Sequence, residues 1–152
     1  MELRLQAPLD SLLGFETAPR TRRQRQAVKD LALRLHQPQW LFIPSAAARC
    51  SQRTVALASP VIEPALLSNA PDIPPAPAAA TVAPAPRRAA GGAHSDLDAV
   101  ITFECLQPQA LTGLQVKLFE AFPALLQIDV DIVTPRGQSG ARLSPNRAGL
   151  TW

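Results

Sequence analysis

Residues 71–93 contain six prolines and nine alanines, and no other stretch limits the fold so strongly. Each proline removes a backbone donor and holds φ near about −65°, so this segment is expected to be an extended spacer without a core of its own. A ligand for a proline-binding groove is the alternative use of such a composition. The apolar contacts of the fold then have to come from the residues on either side. We expect a first α+β lobe over 1–60, a Pro/Ala-rich linker over 61–93, and a second α+β lobe over 94–152. With 47% apolar residues in 152, the chain can supply the core of one ordinary domain or two small lobes.

The second lobe has the clearest local pattern. Ala99, Ile101, Phe103 and Cys105 alternate on one face of a strand that ends before Pro108. Leu111, Leu114, Leu118 and Phe122 follow at the spacing of a helix face, with Pro123 as its stop. Gln127–Val133 alternates again, Ile128, Val130 and Ile132 inward and Asp129 and Asp131 outward. Thr134-Pro-Arg-Gly137 suits a turn, after which Ser139–Leu143 returns antiparallel and Leu150–Trp152 packs at the edge.

In the first lobe, Leu3 and Leu5 share a strand face, and Leu9, Leu12 and Leu13 form a short helix or turn ended by Gly14. Thr21 caps a helix reaching about His36, with Val28, Leu31 and Leu35 as its apolar stripe and Pro38 as its stop. Trp40–Ile43 and Arg53–Ala58 read as strands. Both lobes thus run strand, proline, a leucine-rich turn ending in glycine (Gly14 and Gly113), helix, two strands and Ser-Pro, which is the order expected of an approximate internal duplication.

Charge and motifs exclude several functions. The net charge of +3 is too small for nucleic-acid binding, and the basic cluster Arg20, Arg22, Arg23, Arg25 and Lys29 has no interleaved aromatics, so it reads as a solvated helix start. No apolar run is long enough to cross a membrane, and the residues show no basic, apolar and small-residue order of the kind a signal peptide requires. Catalysis lacks its parts: only His36 and His94 can serve as imidazole bases, and no nucleophile elbow, phosphate loop or HExxH occurs. We expect no enzyme.

His94-Ser-Asp96 is the one place where a nitrogen and an oxygen donor stand close together, enough for two corners of a zinc tetrahedron. Asp96 and Asp98 as turn acceptors are the plainer reading. Cys50 and Cys105 are too far apart in sequence for a zinc ribbon; a disulfide and two buried thiols both fit.

The segments APLDSLLGFETAPRT, LFIPSAAARC, HSDLDAVITFEC, GLQVKLFEAFPALLQIDV and TPRGQSGARLSP, in this order, resemble the ZrgA-like periplasmic zinc-binding proteins of proteobacteria. The resemblance implies an exported accessory of zinc uptake that works beside a zinc ABC importer or its solute-binding protein. It places His94 and Asp96 at the family's His-x-Asp, and Cys50 and Cys105 where the family has a cysteine pair suited to a periplasmic disulfide. Departures accompany the match. Neither a leader nor the family's histidine-containing first strand precedes Met1, so a truncated start is expected. Thr17 stands where histidine is common, and the central segment lacks histidines. The expected protein is therefore a periplasmic zinc-handling accessory of reduced metal capacity, or else a metal-free, partner-binding relic of the same family.

Overall fold

The computed structural model describes residues 1–68 and 95–152. Most of the expected linker, and His94, lie outside them. Among the described residues eight strands form two antiparallel sheets, with a few short helices between, so the α+β class holds.

The first strand, β1 (Glu2–Pro8), forms because Leu3, Leu5 and Ala7 alternate with Glu2, Arg4 and Gln6, and it buries the apolar set. It leads directly into α1 (Leu9–Leu13), which Gly14 closes in the left-handed region at φ 80°. The longest helix, α2 (Arg22–Leu35), opens with a full capping box: Thr21 Oγ1 accepts from the Gln24 amide at 3.1 Å, and Gln24 Oε1 accepts from the Thr21 amide at 3.1 Å. The box matters because exposed arginines 20, 22, 23 and 25 crowd the positive end of the helix dipole, where cations are unfavourable. Val28, Leu31, Ala32 and Leu35 are buried, as the stripe requires.

Pro38–Trp40 is a 3-10 turn, followed by β2 (Phe42–Pro44), a second 3-10 turn (Ala46–Ala48) and β3 (Cys50–Ala58). Arg49, at φ 50°, makes the left-handed step that points the chain into β3. After α3 (Pro64–Leu67) the description resumes with β4 (Asp96–Cys105), a 3-10 turn (Pro108–Ala110), β5 (Gly113–Val116), α4 (Leu118–Ala121), β6 (Ile128–Thr134), β7 (Gly137–Leu143) and β8 (Gly149–Thr151). The hairpin expected at Thr134–Gly137 joins β6 to β7.

Two expectations need correction. Residues 111–122 are not a helix: Gly113–Val116 is a strand and only Leu118–Ala121 is helical. Leu111, Leu114, Leu118 and Phe122 are all buried, so the apolar stripe is real, but Leu114 and Val116 also alternate about exposed Gln115, and pairing with β2 and β8 satisfies the backbone of that segment.

The two halves are also not separate lobes. The larger sheet has the order β3-β4-β1-β6-β7, so β1 of the first half lies between two strands of the second. Leu3 stands opposite Ile101 on one side and Ile132 on the other. The smaller sheet, β2-β5-β8, mixes the halves in the same way. The expected lobes 1–60 and 94–152 therefore share both sheets and one core, which joins Leu3, Leu5, Leu31, Phe42, Ile101, Leu114 and Ile132. The physical reason is area: a lobe of about 60 residues buries a smaller fraction of its surface than the two halves joined around one core.

Candidate functional site

Because the inner residues of β1, β4 and β6 are buried, their alternates stand together on the opposite, open face of the five-stranded sheet. Strand register orders them in rows. Asp98, Gln6, Asp129 and Arg142 form one row, and Val100, Arg4, Asp131 and Gly140 the next. Six carboxylates share this face (Glu2, Asp96, Asp98, Glu104, Asp129 and Asp131) with three arginines (Arg4, Arg53 and Arg142). The arginines are engaged locally: Arg4 Nε donates to Glu2 at 2.8 Å, Arg142 Nε donates to Asp129 at 2.9 Å, and Arg53 pairs with Glu104. The remaining excess is negative, which attracts cations in general but fixes none.

Asp96 occupies the first position of β4, opposite Pro8, and its Oδ2 accepts a hydrogen bond from Gln6 Nε2 at 2.9 Å. His94, its expected companion, lies outside the described residues. Cys50 and Cys105 stand directly opposite each other on β3 and β4 and form a disulfide. They sit at the far end of β4 from Asp96, roughly 30 Å away at about 3.3 Å per residue, so the sulfurs and the carboxylate do not belong to one site. Oxidised sulfur is also no thiolate ligand. His36 is used structurally: its Nε2 donates to the Leu67 carbonyl at 2.9 Å, tying the end of α2 to α3. Gln52 Nε2 donates to the His36 carbonyl at 3.1 Å on the other side.

A zinc site needs about four N, S or O donors converging on one point. Among the described residues no group of three or more His, Cys, Asp or Glu side chains does so. The described residues alone therefore do not fit zinc, and Asp96 reaches a complete site only with donors from elsewhere. Two shallow grooves are present among them. One, of about 430 Å³, lies between His36, Val55, Leu57, Pro64 and Leu67. The other, of about 230 Å³, lies between Leu12, Leu31, Asp30, Arg34 and Phe122, where Arg34 sits over the Phe122 ring at 5.7 Å.

Sequence reasoning foresaw the wet face of Asp129 and Asp131 but not that Gln6 would hold Asp96 or that Arg142 would hold Asp129. The alternation in Glu2-Leu-Arg-Leu-Gln6 was the available signal, since it placed Gln6 on a polar face. Its neighbour across the strand was not available locally.

No helix of the described residues is long and apolar enough to cross a membrane. No curated protein matches the sequence. A family model described as "ZrgA family zinc uptake protein" matches residues 1–152, and it spans both the disulfide-joined strands and the segment that carries His94 and Asp96. On that match the chain belongs to the ZrgA family of zinc uptake proteins.

Proposed function

We propose that this protein is a non-catalytic accessory of zinc uptake in the periplasm, with a metal capacity of at most one ion. The whole-length family match carries the reading. The Cys50–Cys105 disulfide supports an oxidising compartment, since such bonds persist outside the reducing cytosol. Capacity follows from donors: the chain has two histidines, and His36 is spent between two helices, which leaves His94 and Asp96 as the core of any site. The open carboxylate face would raise the local concentration of Zn²⁺ without holding it, and a zinc ABC importer or its solute-binding protein is the proposed recipient.

Calorimetric titration of the full chain with Zn²⁺ tests this. One ion per chain is expected, bound at about micromolar or tighter, with affinity falling at least about tenfold in His94→Ala. A second reading, a metal-free partner-binding member of the family, is favoured by the Gln6–Asp96 hydrogen bond, which already engages one oxygen of that carboxylate. Binding weaker than about micromolar would establish that reading in place of the first, and tight binding indifferent to His94→Ala would sink the His94–Asp96 site.

A further inference from the structure

The two edges of the five-stranded sheet are treated differently. At one edge, β3 carries a bulge between Gln52 and Thr54, presents charged Arg53, and is flanked by α3 and the Pro38–Trp40 turn. These are the devices by which proteins keep an edge from pairing with another chain. At the other edge, β7 has no bulge, and among the described residues β6 is the one element it packs against closely. Its register with β6 is unbroken from Gly137 to Leu143, and the strand Gly-Gln-Ser-Gly-Ala-Arg-Leu contains neither proline nor lysine. Its one charge, Arg142, is already answered by Asp129.

The hairpin fixes which backbone groups face outward. Thr134 and Gly137 flank a two-residue loop and so form a hydrogen-bonded pair, after which bonded positions alternate. Residues 137, 139, 141 and 143 are turned to β6. The N–H and C=O groups of Gln138, Gly140 and Arg142 are turned away from it, at an edge that among the described residues has a strand on one side only.

We propose that β7 pairs antiparallel with β7 of a second copy, making one continuous ten-stranded sheet about a two-fold axis at Gly140. This register alone lets all three outward residues bond: Gly140 faces Gly140 of the second copy, and Gln138 faces its Arg142, with two hydrogen bonds exchanged at each such pair. The side chains agree with the backbone. Asp131 leans its carboxylate over Gly140, so closely that a Cβ there would collide with Oδ1. At the seam that carboxylate lies diagonally across from Arg142 of the second copy, whose side chain is 67% exposed in the single chain. Two Asp131 and two Arg142 then alternate in sign around the axis, a complementarity that a like-charged edge would lack. The pairing is independent of zinc.

An interface of one strand is small, so a reversible dimer forming at roughly 0.1–1 mM is expected from sedimentation equilibrium of the full chain. Gln138→Pro removes an outward donor and leaves the β6 pairing intact; Arg142→Glu reverses one charge at the seam. Each is expected to weaken the dimer at least about tenfold. A second measurement needs no variant: amide exchange at Gln138, Gly140 and Arg142 should slow as concentration rises, while Ser139 and Ala141 stay protected throughout. A single monomeric species up to about 1 mM overturns the proposal. So does a dimer that tolerates both variants and leaves those three amides exchanging at one rate.

Discussion

Replacing both cysteines, Cys50→Ala with Cys105→Ala, should cost more than any surface change in this protein, and the size can be worked out. The bond joins residues 55 apart, and the loop it closes includes the whole Pro/Ala-rich stretch. Chain-entropy arithmetic for a loop of about 56 residues gives about 14 cal/mol/K, or about 4 kcal/mol at 25 °C, taken from the unfolded ensemble. In urea, with a slope of about 2 kcal/mol/M, the midpoint should fall by about 2 M. The cysteines are only partly buried, so lost packing adds little. Native protein reduced with a thiol should show the same drop, and its β3 amides should exchange faster than those of β1, because among the described residues β3 is an edge strand with one sheet neighbour, β4, whereas β1 has two. A midpoint shift below about 0.5 M in both forms would refute the reasoning, since the bond would then not be limiting the unfolded chain.

Other perturbations reach separate parts of the fold. Thr21→Ala removes the acceptor for the Gln24 amide at the arginine-rich start of α2; a loss of about 1 kcal/mol is expected, seen as a fall in Tm of about 2–4 °C that Thr21→Ser does not produce. Gly113→Ala places a Cβ 2.8 Å from the Leu150 carbonyl oxygen, so it should push β8 off β5 at a cost of about 1–3 kcal/mol. In a Trp40→Phe background the emission of Trp152, whose amide donates to Thr112 O at 3.2 Å, should shift to the red; an unchanged spectrum would mean that β8 tolerates the methyl group.

Much of this was legible in the residues. Leu3 and Leu5, Ile101 and Phe103, and Ile128, Val130 and Ile132 announced their strands by strict alternation, and all are buried. Thr21 and the stripe Val28, Leu31, Leu35 announced α2. The hairpin at Pro135-Arg136 followed from turn chemistry. The stretch 111–122 misled because its apolar residues fit a period of 3.6 over four positions and a period of 2 over Leu114 and Val116; local pattern cannot choose when both bury the same side chains. For the candidate site, Asp96 was visible as a donor in sequence, whereas its hydrogen bond to Gln6 arises from a pairing across 90 residues.

By itself, then, the sequence determined which faces are apolar, where α2 starts and stops, and that the family pattern runs through the whole chain, since each of these is written in neighbours a few residues apart. Tertiary structure alone decided that β1 lies between β4 and β6, that residues 113–116 become a strand, and that the carboxylates of three strands share one face. Those outcomes depend on which backbone donors and acceptors find partners once the core closes, and that competition runs between segments far apart in the chain.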